Sequence, residues 1–131
     1  MNRMRRRSRL GQRDKGAVAL EFALIVPLLL ILSMAIIEFG RAYNVVISLQ
    51  GAAREGARVL ALGNLEPDLA AVDAAVQGAT TFSIDTITPT PCTAAGGQAN
   101  VVVREGFQFG IPFLPRWSLT LSGDAAMRCG L

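Results

Sequence analysis

The side chains of this 131-residue protein limit the chemistry that it can carry, because the sequence contains no histidine. Ser-His and Cys-His nucleophile systems are therefore absent. Asp85, Glu105 and Asp124 are isolated acids on predicted strands or turns, and solvated surface positions explain them better than a paired-carboxylate site does. Two cysteines do not complete a tetrahedral set of metal ligands. We expect neither enzymatic activity nor a bound cofactor or metal.

One acid is unusual because of its surroundings. Glu21 is the only charged residue in the stretch 17–37, which reads AVALEFALIVPLLLILSMAII. A carboxylate there is costly unless it is protonated, paired or near the membrane surface, and snorkelling to that surface is the simplest interpretation. Alternatively, a cut between Gly16 and Ala17 creates an ammonium four residues before Glu21. That amine can pair with Glu21 in its own chain or in a neighbouring subunit.

The element that must position Glu21 is predicted to be a transmembrane helix. As a helix, the stretch 17–37 spans about 31 Å, close to the hydrocarbon thickness of a bilayer. The rest of the chain is too small to surround twenty or so apolar positions as a core helix. Seven of the thirteen basic residues lie in the first fifteen positions. Such a leader stays cytoplasmic, and the C-terminal part is then exported.

Nucleic-acid binding and a removable secretory signal both fit the N-terminal region less well than a membrane anchor does. Nucleic-acid binding requires basic residues spread over a folded surface. From Ala17 onward, however, the sequence has six basic residues and nine acidic ones. A secretory signal that is removed whole requires a small-x-small cleavage site after the apolar run. No clear site of that kind follows Ile37, where the sequence continues EFGRAYNVVISLQ.

Gly16 followed by AVALEF resembles the processing site of type IV prepilins, in which a glycine precedes four apolar residues, a glutamate and an aromatic residue. The longer stretch from Gly16 to Gly63 is similar to the TadE-like proteins, minor pilins or pseudopilins of the tight-adherence (Flp/Tad) type IV pilus system. The resemblance becomes weaker after Gly63.

The resemblance implies that an inner-membrane prepilin peptidase cuts after Gly16, which makes Ala17 the mature N-terminus and Glu21 its pairing carboxylate. Phe22 stands where major Flp pilins have tyrosine, and the chain continues 91 residues beyond Gly40. Both departures indicate a minor component that acts in pilus assembly. The implied partners are the inner membrane, the peptidase, other pilins or pseudopilins and the Tad machinery. An uncleaved, membrane-anchored periplasmic accessory protein of the same machinery is the alternative.

The helix is predicted to change character along its length. Pro27 predicts a kink, and Glu38 and Arg41 share one face where the helix leaves the bilayer. Apolar residues then recur at helical spacing to about Leu62, which predicts an amphipathic helix packed on the distal domain or on neighbouring subunits. The predicted organisation is a basic cytoplasmic leader (1–16), a transmembrane helix (17–40), an amphipathic helix (41–63) and a small exported domain (64–131).

The exported domain is predicted to have an α+β fold. The stretch after Pro67 predicts a short second helix with Asp68 as a possible cap. β-branched and aromatic segments separated by Pro and Gly predict three antiparallel strands, at residues 80–88, 99–110 and 118–127. The intervening FGIPFLPRW motif is predicted to form a small core or, where exposed, a docking surface.

The two cysteines, Cys92 and Cys129, both lie in the exported part. Because that compartment is oxidising, a disulfide is expected. It would close a loop of about 38 residues and contribute about 4 kcal/mol in the chain-entropy model. For so small a domain this is a large share of the total stability.

Overall fold

A computed structural model describes residues 10–63 and 66–130, with side chains from Lys15 onward. The arginine-rich start of the leader lies outside the described residues. The chain divides into two compact units, Met1–Ile37 and Glu38–Leu131.

The architecture is the predicted α+β class. The elements, in chain order, are α1 (Leu10–Leu62), α2 (Leu69–Gly78), β1 (Thr86–Thr90), β2 (Gln98–Phe109) and β3 (Trp117–Arg128). The long N-terminal helix, the short second helix and the antiparallel three-stranded sheet are thereby confirmed.

In the first unit, α1 is apolar on every side over residues 22–37. Residues 22–37 are uncharged, and leucine, isoleucine and alanine favour the helical backbone. None of the most apolar part is buried by the protein, and α1 is long and apolar enough to cross a membrane. Pro27 lies inside α1, where proline removes one backbone hydrogen bond; the kink stays a prediction. A helix that is hydrophobic all round is typical of a membrane span or of the core of a large protein.

In the second unit, α1 is amphipathic, as predicted. Its buried residues are Ala42, Val45, Leu49, Ala52, Ala53, Ala57, Leu60 and Ala61. Arg54 and Arg58 lie exposed on the opposite side. The buried face shares one core with Val72 of α2 and Val101 of β2. Of the two predicted packing partners, the chain's own distal domain is the one observed.

The ends of the helices follow local sequence signals. Helix α1 ends at Leu62, and the N–H of Gly63 donates to the Val59 carbonyl at 3.2 Å. The carboxylate of Asp68 accepts hydrogen bonds from the N–H groups of Ala70 and Ala71, at 3.1 and 3.2 Å. This is the arrangement of an N-cap, which satisfies backbone donors that have no partner inside the helix.

The sheet has the strand order β1–β2–β3 and is antiparallel throughout. Strands β2 and β3 pair along their whole length, with Gln98 opposite Arg128 and Phe109 opposite Trp117. Buried and exposed positions alternate along most of β2, because successive side chains in a strand point to opposite faces. One face of the sheet therefore completes the core, as the alternation predicts.

The first strand begins later than predicted. The sequence predicts a strand over residues 80–88, but β1 spans Thr86–Thr90. Before it, Thr80 Oγ1 accepts a hydrogen bond from the N–H of Phe82 at 3.2 Å and lies 2.9 Å from Ser48 Oγ on α1. Short polar side chains that bond nearby groups compete with strand pairing, and alternation of residue types does not reveal this.

A disulfide joins Cys92 to Cys129, as predicted, with Cα atoms 6.2 Å apart. Both cysteines are buried. The bond ties the segment after β1 to the end of β3, and the N–H of Cys129 donates to the Gly97 carbonyl at 2.9 Å. The open end of the sheet is thus closed covalently.

Helix α1 and β3 approach so closely that one position has no room for a side chain. A Cβ atom added to Gly123 would overlap the backbone of Leu49 and Gln50. Backbone atoms in a helix cannot rotate away as a side chain can, so only glycine fits there. Gly51, on the same helix, has open space around it instead.

We therefore predict opposite effects for two glycine-to-alanine substitutions. Gly123→Ala should lower the free energy of unfolding by about 1–3 kcal/mol, because it overfills the interface. Gly51→Ala should raise that free energy by about 0.5–1 kcal/mol, because alanine favours a helix interior. Urea unfolding of the full chain in detergent micelles, followed by circular dichroism, measures both. Equal stability of Gly123→Ala and the wild type would contradict the observed packing.

Candidate functional site

The predicted processing site lies on one exposed stretch of α1. Gly16, Ala17, Glu21 and Phe22 are all helical and exposed, with Phe22 68% accessible. Ala17 and Glu21 are four residues apart, so they lie on the same helix face, separated by about 6 Å along the axis. An amine at residue 17 and the carboxylate of Glu21 are thus within reach of one another, and both face outward, where a neighbouring chain has access.

Glu21 has no cationic partner among the described side chains. The salt bridges found in that part of the chain are Arg41–Glu38 and Arg58–Glu55. Gly16 has open space where a Cβ would be placed. A larger residue at position 16 would therefore meet no steric conflict within this protein. Any effect of such a residue on processing would have to come from its fit to the peptidase.

A second polar cluster lies at the start of the second unit. Glu38 is 8% exposed, and its Oε1 accepts a hydrogen bond from Arg41 Nη1 at 2.8 Å. Its Oε2 accepts from the N–H of Gly110 at 3.4 Å. The Arg41 guanidinium lies 5.6 Å from the centre of the Phe107 ring, within cation–π range. Sequence spacing predicted that Glu38 and Arg41 share one helix face, but it gave no sign of Gly110 or Phe107, which come from another part of the chain.

The FGIPFLPRW motif divides between core and surface. Phe109 is buried and its ring lies 5.9 Å from that of Phe39 and 5.8 Å from that of Trp117. Phe113 is 97% exposed and Trp117 47% exposed. The sequence allowed either a core or a docking surface; in the structure one part of the motif is buried and another is exposed, and docking stays a prediction. Aromatic content alone could not show where the division falls, because strand pairing decides which rings face the helix.

An open groove of about 400 Å³ lies beside the same polar cluster, lined in part by Arg41, Asn44, Phe82 and Glu105. Burial raises the pKa of Glu105 above its ordinary value of 4.5. A hydrogen bond from Ser83 lowers this pKa, and the negative charge of Asp85 raises it further. Its Oε2 atom is inaccessible and unpartnered among the described residues. In that same part of the chain, no three acidic, histidine or cysteine residues cluster in a way that could hold a metal ion.

The raised pKa of Glu105 predicts a pH-dependent stability difference. The folded wild type holds the proton more tightly than the unfolded chain, so its stability falls as pH rises from 4.5 through the raised pKa. The Gln side chain in Glu105→Gln cannot ionise, so that variant does not lose stability for this reason as the pH rises. The free energy of unfolding of the wild type relative to Glu105→Gln should therefore decrease across that window and level off above it.

Urea unfolding over a pH series in detergent micelles measures this difference. Asp124→Asn serves as the matched control for removing one acid from the same sheet. A difference between wild type and Glu105→Gln that stays flat or rises with pH would contradict the burial of Glu105.

Fold and site together define a small α+β protein with one long helix that can span a membrane. Residues 16–58 match the family model described as TadE-like protein. Over this segment, about a third of the chain, the sequence is similar to the TadE-like proteins. The match begins at Gly16 and ends within the amphipathic part of α1. Neither a curated protein nor a solved structure matches the chain.

Proposed function

We propose that this protein is a minor pilin or pseudopilin that takes part in assembly of a tight-adherence pilus. A prepilin peptidase removes the leader after Gly16, and the N-terminal helix holds the mature protein in the inner membrane. The observation that carries the proposal is the TadE-like match over residues 16–58, which starts at the glycine of the processing motif.

The proposed location follows from the exposed apolar surface of α1. Large apolar side chains between residues 18 and 37 are open to the surroundings, and in water that surface would drive association. A bilayer covers it, and the helix satisfies the backbone hydrogen bonds that lipid cannot. Positive charge concentrated before Gly16 keeps the N-terminus cytoplasmic and exports the disulfide-bonded domain.

The proposed role of Glu21 is to neutralise a newly formed N-terminus. Cleavage after Gly16 leaves an ammonium on Ala17, one helical turn from Glu21 on the same face. Both charges would be costly in lipid when alone. Pairing between neighbouring subunits would remove both costs together, which favours helix association during assembly. We propose no catalytic role for any residue.

The second candidate function is a permanently anchored accessory protein that keeps its leader. It is favoured by the observation that α1 begins at Leu10, so the Gly16–Ala17 bond lies inside a helix. A peptidase must unwind this turn before it can cut. The state of the N-terminus distinguishes the two functions.

We predict that Gly16→Phe blocks processing. The mature wild type should begin at Ala17, whereas Gly16→Phe should retain the 16-residue leader, because the peptidase site no longer accommodates position 16. Intact-mass spectrometry of the membrane fraction measures both. Gly40→Phe is the matched control, since Gly40 also lies in α1 with open space around it. An intact leader on the wild type would support the anchored accessory protein instead.

Glu21→Ala is predicted to separate processing from assembly. The variant should be cleaved normally but should be absent from sheared pili, because the N-terminal amine then has no partner. Glu21→Asp should restore part of the incorporation, since it keeps the charge. Glu55→Ala, which removes an acid from the distal part of α1, is the control. Immunoblots of purified pili give the readout, and normal incorporation of Glu21→Ala would refute the pairing role.

A further inference from the structure

The loop that joins β2 to β3 and the start of β3 expose large apolar side chains to the surroundings. Phe113 and Leu114 lie at this loop, and Trp117 and Leu119 follow at the start of β3; all four are exposed. By contrast, Phe109, at the end of β2, is buried. Phe113 and Leu114 are therefore not part of the core, whereas the ring of Trp117 lies 5.8 Å from that of Phe109. We refer to residues 110–117, which are the loop together with the first residue of β3, as the hairpin loop.

Phe113 has a backbone conformation that bulky residues rarely adopt, with φ at 69°. The Leu114 N–H donates to the Ile111 carbonyl at 3.2 Å, which closes a tight turn. Pro112 and Pro115 flank the pair and restrict the backbone further. Glycine would suit this position better, and the exposed phenyl ring makes no compensating contribution to the core. A role outside the folded domain explains why an aromatic residue stands here.

The hairpin loop is fastened to the first residues of the second unit. The Gly110 N–H donates to Glu38 Oε2, and the ring of Phe109 packs against that of Phe39. Glu38 is covalently next to Ile37, the last residue of the uncharged apolar stretch. Covalent connection alone therefore keeps the hairpin loop close to the end of the span, in whatever direction the first unit leaves Glu38.

We propose that the hairpin loop dips into the outer surface of the bilayer that holds residues 17–37. Phe113 and Leu114 enter the boundary between headgroups and acyl chains, Trp117 lies at the interface, and exposed Arg116 meets the lipid phosphates. Tryptophan and arginine beside apolar residues suit this layer. The proposal rests on the membrane anchoring of the proposed function. It adds a second contact that fixes the exported domain against the membrane.

A bilayer fits this surface better than a second copy of the chain does. The lipid is already brought beside the hairpin loop by the covalent link at Glu38, whereas another chain would have to supply a matching apolar patch. The loop also mixes apolar side chains with one arginine and no acid, which suits a surface that presents phosphate groups. Contact with another copy is a distinct outcome of the test.

Trp117 is the only tryptophan in the chain, so its fluorescence reports on the hairpin loop alone. The full-length protein is reconstituted in vesicles of phosphatidylcholine and phosphatidylglycerol with or without bromine-labelled acyl chains. Quenching by the lipid bromine is compared with quenching by iodide in the water. The test variant is Phe113→Ser/Leu114→Ser. The matched control is Leu62→Ser/Leu69→Ser, which replaces two exposed apolar residues at the end of α1 and the start of α2.

We expect lipid bromine to quench Trp117 and iodide to have little effect in the wild type and in the control. Phe113→Ser/Leu114→Ser should lose the lipid quenching and become sensitive to iodide. Its thermal midpoint should not fall, because neither residue belongs to the core.

Two results would overturn the proposal: a Trp117 open to iodide but not to lipid bromine, or one shielded from both, which would indicate contact with another copy. Flotation of the vesicles tests the anchor separately. A chain that floats with the vesicles but gives either result refutes the membrane contact alone, whereas one that does not float refutes the anchoring as well.

Discussion

The structure depends on one constraint, which is that the N-terminal stretch of α1 cannot be covered by its own chain. Most of its large apolar side chains between residues 18 and 37 are exposed, and the second unit builds a separate core. The free energy of removing such a surface from water is large. This stretch is long and apolar enough to cross a membrane, and a bilayer would remove its surface from water.

The same helix meets two environments, and its sequence changes accordingly. Over residues 22–37 it is apolar on every side, whereas from Glu38 onward it buries one face and exposes the other. Small residues on the buried face let the sheet approach until Gly123 lies against the helix backbone. That close approach makes a compact core possible in a small domain, where the area available for burial is limited. The Cys92–Cys129 bond adds covalent closure at the sheet's open end.

Glu38 marks the junction of these two environments. It is charged and almost fully buried, yet its two oxygens are both used, one by Arg41 and one by the backbone of Gly110. A buried acid is tolerated when its partners replace the lost water. The pairing also ties the loop after β2 to the helix, so one carboxylate joins sequence-distant parts of the second unit at its first residue.

Local patterns in the sequence were sufficient for the elements themselves. Helical spacing predicted the buried face of α1, Asp68 predicted the start of α2, and alternation predicted β2 and β3, because each signal acts within a few residues of the chain. The compartment of the two cysteines predicted their bond. The processing motif at Gly16, Ala17 and Glu21 was inferred from its resemblance to type IV prepilins, and its use stays a prediction.

Only the tertiary structure decided the features that require residues far apart in the chain. The late start of β1 depends on Thr80 meeting Ser48, the partner of Glu38 is a backbone amide at Gly110, and the aromatic motif is divided between core and surface by strand pairing. Spacing along a chain predicts which face of a helix or strand a residue occupies, but it does not predict which residues will contact that face. Those contacts are set by how the whole chain closes on itself.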